Sequence, residues 1–194
     1  MFELGSLVRR TMDFYNEAKP YLMTLRDKTG ETVHLAILDQ SRILYLHCLE
    51  SPQAIRMSSG VGVRKPVHCT GAGKALLAFQ PPEVVERAIA LGLEAFTPKT
   101  ITDPAALRRD LATVRARGCA IDDEESEIGL RCIAAPVRDH YGNVIAATSV
   151  SGPAQRLTKK TLLSFAPEVV GAAEAISRRL GYQLLRAAQP RKRG

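Results

Sequence analysis

Residues 67–79, Val-His-Cys-Thr-Gly-Ala-Gly-Lys-Ala-Leu-Leu-Ala-Phe, set a glycine-flexed turn against the start of an apolar helix, and the chemistry of such a junction is anion binding. The backbone N–H groups of Gly71, Ala72 and Gly73 lack intrahelical partners there, and the positive end of the helix dipole adds to them. A carboxylate or a phosphate is the natural guest. A nucleotide phosphate loop is excluded, because Gly-x-x-x-x-Gly-Lys-Ser/Thr counted back from Gly73 and Lys74 puts His68 at the first glycine and Ala75 at the magnesium-binding hydroxyl. The dinucleotide pattern Gly-x-Gly-x-x-Gly fails too, with Leu76 at its third glycine. What survives is a site for a smaller anion, with no cofactor.

Other residues could do chemistry at a distance along the chain. Cys132, His68 and Asp122 supply the types of a nucleophile, a base and an orienter, which makes a cysteine-dependent small-molecule hydrolase one alternative function. No nucleophile motif surrounds Cys132, however, and a thiol between Arg131 and Ile133 inside a strand reads more simply as a small core hydrophobe. His34, His47, His68 and His140 have no ligand spacing, so no metal site is expected. Bland readings accompany the other candidates. Gly71 and Gly73 can serve tight packing at a helix start, and Ser149 and Ser151 can be strand-end serines satisfied by the Gly152-Pro153 turn. The acidic run from Asp122 to Glu125 reads as a solvated edge from which only Asp122 faces a pocket.

The elements that must position these groups follow from periodicity. Leu4, Leu7, Val8, Met12, Tyr15, Ala18, Leu22 and Leu25 recur at helical spacing up to Thr29-Gly30, with a bend expected near Pro20. Residues 32–38 and 42–49 read as strands joined by the turn Asp39-Gln40-Ser41, and a shorter strand is expected over 54–58. After the Gly71 helix, Pro81-Pro82 leads into a helix over 83–90. Asp103 or Thr102 caps another, with Pro104 in its first turn and Gly118 as its stop. Strands are expected over 119–125, 130–138 and 143–151, the last two joined by the turn Asp139-His140-Tyr141-Gly142. Thr158 caps one long closing helix with an apolar stripe of Leu162, Phe165, Val169, Ala173, Ile176 and Leu180.

A hairpin, then helices, then more strands with short turns gives an α/β fold of the α+β kind, with a central antiparallel sheet and helices on its faces. Alternation along the strands puts Ser149 and Ser151 on one face and Leu130 and Cys132 on one face. Two hydroxyls, a thiol and a carboxylate then converge near the Gly71 turn, as in a small-molecule pocket.

Composition narrows the classes. At 194 residues, 45% hydrophobic and 24% charged, the chain has the balance of one domain with a sizeable core. Its four cysteines show no Cys-x-x-Cys spacing, and no apolar run approaches a signal peptide or a membrane span, so a cytoplasmic, reduced protein without membrane contact is expected. The net charge of +7 is concentrated, since Arg186, Arg191, Lys192 and Arg193 carry four of those charges without any acid nearby. Residues 186–194 are therefore read as a basic, disordered tail. Aromatics at 5% and no tryptophan argue against a stacking platform for single-stranded nucleic acid.

Three ordered motifs carry a resemblance. Val67-His-Cys-Thr-Gly-Ala-Gly-Lys-Ala-Leu-Leu-Ala, Asp122-Asp-Glu-Glu-Ser-Glu-x-Gly-Leu-Arg-Cys-Ile-Ala-Ala-Pro-Val and Ser149-Val-Ser-Gly-Pro resemble the effector-binding domain of the IclR family of bacterial transcriptional regulators, over residues 20 to 182. The resemblance implies a GAF-like, or profilin-like, antiparallel sheet flanked by helices, and an organisation in three parts. Residues 1–19 would be a linker helix from an absent winged helix-turn-helix DNA-binding domain, 20–185 the effector-binding domain and 186–194 the tail. It further implies that Gly71 and Ala72 present amides to an effector carboxylate, that Ser149 and Ser151 add hydroxyls, and that Asp122 accepts from an effector hydroxyl or a water. Met57, Leu130 and Cys132 would form the wall, and Ala54 would stand where some members carry a larger apolar residue. Lys65 departs from the pattern, as a cation at an otherwise apolar position. The expected partners are a keto, hydroxy or aromatic acid, a second copy of the chain in a dimer or tetramer, and DNA through the absent domain only. A third reading makes the domain purely an oligomerisation module, through the apolar stripes of the opening and closing helices.

Overall fold

The computed structural model describes residues 2–57 and 60–183, with side chains from Phe14 onward, so the basic tail lies outside the described residues. The chain opens with α1 (Phe2–Thr29), followed by the hairpin β1 (Thr32–Asp39) and β2 (Arg42–Leu49) and the short strand β3 (Arg64–Pro66). Three helices come next, α2 (Gly71–Leu77), α3 (Pro82–Ala90) and α4 (Pro104–Arg117). The strands β4 (Ala120–Asp123), β5 (Leu130–Arg138) and β6 (Val144–Pro153) then lead to α5 (Lys159–Ser164) and α6 (Ala166–Arg179). All neighbouring strands run antiparallel in the order β3-β2-β1-β6-β5-β4, so β1 and β6 meet at the centre and join the two halves of the chain.

Local chemistry explains most boundaries. Asp103 accepts the Ala106 N–H at 2.7 Å with Pro104 in the first turn, and Gly118 ends α4 at φ +77°, a left-handed conformation costly for any residue with a side chain. In the β5–β6 turn Asp139 Oδ1 accepts the Tyr141 and Asn143 amides, and Gly142 takes φ +88°. Two expectations need correction. No strand forms over 54–57, the described part of the expected strand at 54–58, and the third strand of that half is Arg64–Pro66. The closing helix is two helices, because Pro167 cannot donate to the preceding turn and Phe165 becomes a junction. At the other end the helix α1 runs on through Pro20 as one element.

The sheet separates two cores. On one face Val33, Leu35, Ile133, Val137, Ala146 and Val150 pack against Ala18, Leu22 and Leu25 of α1, Leu162 of α5 and Val169, Ala173 and Ile176 of α6. On the other, Ala36, Ile43, Tyr45, Ala120, Ala134 and Ala147 pack against Ala72, Leu76 and Leu77 of α2, Val85 of α3 and Leu107 and Leu111 of α4. Strand alternation assigns Cys132, Ser149, Ser151 and Asp122 to this second face, with β5 pairing Cys132 to Ser151 and β4 pairing Asp122 to Cys132.

Candidate ligand-binding site

At the start of α2, Thr70 is the cap. Its Oγ1 accepts the Gly73 N–H at 3.2 Å and donates to the Pro66 carbonyl at 2.8 Å, and the Lys74 N–H begins the helical ladder on the Thr70 carbonyl. The expectation of three unpaired amides is therefore corrected, since Gly73 is spent on its cap and only Gly71 and Ala72 lack a place in the ladder. Both glycines are also sites of close approach. A Cβ on Gly73 would lie 2.4 Å from the Val67 carbonyl oxygen, and one on Gly71 would lie 2.8 Å from Cys132 Sγ.

A hollow of about 10 Å³, room for a single water, lies beside Gly71. Met57, Lys65, Asp122, Leu130, Cys132 and Ser151, all expected from the sequence, meet around it with Gly71. Tyr45, Thr70 and Ser126 complete the lining. Three expected residues stand elsewhere. Ala54 is exposed in the segment after β2, Ala72 is buried in the core behind the helix start, and Ser149 is buried opposite His34 and Ala134, with its hydroxyl against the Cys132 thiol.

The polar groups in this region already serve one another. Ser151 Oγ donates to Met57 Sδ at 3.0 Å and lies 3.4 Å from His34 Nδ1. Asp122 accepts the Ser126 hydroxyl at 2.6 Å, the Glu125 amide at 2.7 Å and the Ser126 amide at 3.3 Å, so its carboxylate first of all closes the turn after β4. Burial raises the Asp122 carboxyl above the usual carboxylate range, against the pull of the Ser126 and Glu125 bonds and of the Lys74 charge. Burial likewise pushes the Cys132 thiol up to about 12, helped by the Asp122 charge, while the Ser149 hydroxyl and the Gly71 amide pull the other way.

The triad of the hydrolase alternative is not assembled. His68 Nε2 is 2.9 Å from the Glu94 carbonyl oxygen, in a separate groove of about 530 Å³ lined by Arg42, Ala88, Leu93 and Phe96, whereas Cys132 and Asp122 line the hollow beside Gly71. A buried thiol that resists ionisation is the reverse of an activated nucleophile. Among the described residues no group of three or more His, Cys, Asp or Glu could hold a metal ion, and all four cysteines are thiols.

Sequence reasoning overlooked two groups. His34 sits opposite Ser149, tilted against the Tyr45 ring at 4.7 Å between centroids, and burial lowers its imidazole to about 4, which keeps it neutral at physiological pH. Period-two alternation along β1 was the available signal. The other is Lys74, 1% exposed, whose Nζ donates to Glu125 Oε1 at 2.6 Å and Oε2 at 2.8 Å. Asp110 Oδ2 lies 3.1 Å from the same ammonium, an ion-pair distance without hydrogen-bond geometry. Burial drives Glu125 up to about 7, with Lys74 opposing and Asp122 and Asp110 adding to the rise. The ammonium thus locks α2 to α4 and to the turn after β4.

Together these features define a mixed α/β domain in which a curled antiparallel sheet divides two helical layers and gathers polar groups on one face. The family model of the bacterial transcriptional regulator IclR C-terminal domain matches residues 7–178. The regulator BhcR of Paracoccus denitrificans is 42% identical over 177 residues, which cover 91% of this chain and 63% of BhcR. The crystal structure of the Thermotoga maritima IclR superposes with a TM-score of 0.85 at 37% identity, covering 93% of this chain and 74% of that one. An IclR homologue from Microbacterium hydrocarbonoxydans, solved in complex with 4-hydroxybenzoate, superposes with a TM-score of 0.79 at 32% identity over 88% of this chain and 69% of its own. The chain belongs to the IclR family of bacterial transcriptional regulators and contains the family's C-terminal domain. It spans a little under two thirds of BhcR's length. No helix among the described residues is long and apolar enough to cross a membrane.

Proposed function

We propose that this domain senses a small organic acid in the cytoplasm and, in a dimer or tetramer, uses it to control DNA binding by a helix-turn-helix domain joined through α1. The observation that carries the reading is the convergence of Gly71, Ser151 and Met57 on one hollow, in a fold shared with a homologue solved with an aromatic acid. The Ser151 hydroxyl donates there to a thioether, one of the weakest acceptors among side chains. A carboxylate oxygen is a far better acceptor. Methionine has the rotatable bonds to withdraw Met57 and enlarge the hollow, leaving the acid to the Gly71 amide and the Ser151 hydroxyl, with the Ala72 amide and Ser149 behind them. Leu130 and Cys132 would then contact its body, and keto, hydroxy and aromatic acids all carry the required head group.

Such an acid acts only by binding two arrangements of the protein unequally. The spacing of two DNA-reading domains sets which half-sites they can occupy together, so a change in the geometry of the joining helices engages or releases an operator.

Ser151→Ala is expected to weaken acid binding by about 1 kcal/mol or more, roughly fivefold, through loss of a charge-assisted hydrogen bond. Calorimetry with the acid that most raises the melting temperature checks it. Unchanged affinity removes Ser151 from the site. A broad acid panel that leaves the melting temperature unmoved defeats the sensing role in favour of an oligomerisation module.

A further inference from the structure

Around the hollow, most polar side chains are committed to the protein itself. Thr70 serves the cap of α2, Ser126 serves Asp122, and Ser151 serves Met57. Two groups differ. The Tyr45 hydroxyl and the Lys65 ammonium both belong to lining residues, and neither has a hydrogen bond or ion pair among the described residues. Tyr45 is 5% exposed and Lys65 half-buried, so neither simply projects into bulk water.

Their juxtaposition follows from register. Lys65 on β3 pairs with Ile43 on β2, and the Tyr45 N–H donates to the Val63 carbonyl at 3.1 Å, two residues along each strand. Alternation therefore sets Tyr45 and Lys65 as diagonal neighbours on the face that carries Ser151 and Cys132. A half-buried ammonium without an ion pair lacks both full hydration and a close partner, the Asp122 carboxylate of the same hollow being spent on its own turn, and an anion supplies what it lacks. The phenol, held neutral by burial, is a donor to the same anion.

We infer that the effector carries a second acidic group, received by Lys65 and Tyr45 at the end of the hollow away from Ser151. The inference rests on the preceding reading that an organic acid binds beside Gly71. Tyr45 on β2 and Ser151 on β6 are linked by one side chain of β1, since the His34 ring lies 4.7 Å from the Tyr45 ring between centroids and its Nδ1 lies 3.4 Å from Ser151 Oγ. A short aliphatic diacid, or one aromatic ring with two acidic substituents, is the class of ligand that bridges two anchors separated by a single side chain.

Calorimetry on the 194-residue chain with matched probes tests it: succinate against butyrate, 2-oxoglutarate against 2-oxopentanoate, and terephthalate against 4-methylbenzoate. The expected result is that in at least one pair the diacid binds about tenfold or more tightly, the scale of one charge-assisted hydrogen bond. That margin should collapse in Lys65→Met, survive in Lys65→Arg and shrink in Tyr45→Phe, with the monoacid's affinity changing less than the diacid's in all three. Monoacids that bind as tightly as their partners in every pair, or a margin that persists in Lys65→Met, overturn the second anchor and leave the first intact. Binding by no acid of either kind overturns both. Melting temperatures of the variants without ligand show whether each is folded, and Lys65→Gln replaces Lys65→Met if the latter is not.

Discussion

The two faces of the sheet solve the same packing problem differently. The face under α1, α5 and α6 is closed by aliphatic contact, with Leu35, Ile133, Val150 and Leu22 all fully buried. The face under α2, α3 and α4 gives part of its area to His34, Lys74, Asp122, Glu125, Ser149 and Ser151, each under 10% exposed. A buried polar group costs stability unless its bonds are made, and removing one partner costs more than the bond itself contributes. The first face can thus be perturbed mainly by volume, its buried polar side chains being the neutral hydroxyls of Thr148 and Ser177, the second also by charge and pH. Groups of the second kind are the ones a ligand can recruit.

Paired substitutions sharpen that contrast. Lys74→Ala should cost about 3–5 kcal/mol in urea unfolding at pH 8, because it strands Glu125 beside Asp110. The loss should be smaller near pH 5, where Glu125, already raised to about 7, takes a proton and no longer needs its partner. Leu35→Ala on the opposite face should cost about 3 kcal/mol with little pH dependence. Equal pH profiles for the two variants would dissolve the distinction between the faces.

His34 supplies the next largest effect. With its imidazole lowered from 6.5 to about 4, the unfolded chain takes up a proton that the folded one refuses, so stability is full above 6.5 and falls as pH drops towards 4. The contribution is up to about 3 kcal/mol. Glu125 acts in the opposite sense, since a raised carboxyl adds stability at low pH that disappears between 4.5 and about 7. The wild-type profile therefore conceals both, and the difference between wild type and His34→Gln isolates the first. A difference that does not change over this range would mean that His34 titrates normally. Smallest is the comparison of caps. Thr70→Ala, which removes a buried hydroxyl with two backbone partners, should cost about 2 kcal/mol, and Thr158→Ala at the exposed start of α5 about 0.5–1 kcal/mol. Melting curves of the two variants decide the order.

What was legible in the sequence was local. The β1–β2 hairpin, the Asp103 and Thr158 caps and the Gly118 stop are written within a few residues of where they act. So was the shared face of Ser149 and Ser151, fixed by alternation. The third strand was misread because three residues from Arg64 to Pro66 have no strand pattern of their own and exist only by pairing with β2. The break at Phe165 was written in Pro167, which the apolar stripe across it outweighed in the reading. Lys74 could not be seen at all, because its burial depends on Asp110 and Glu125, brought to it from α4 and from the turn after β4. Nor does a residue list reveal that Thr70 claims the Gly73 amide, or that Asp122 is engaged by its own turn.

The unbroken course of α1 has a mechanical consequence. Ala18, Leu22 and Leu25 fix its second half in the core, and Phe2 lies about 24 Å from Ala18 at the usual rise per residue. A tilt of about 10° at that fulcrum swings the far end by about 4 Å, so a shift of about 2 Å at Leu25, on the short arm, becomes a displacement comparable to the axial rise of one nucleotide on a nucleic-acid strand.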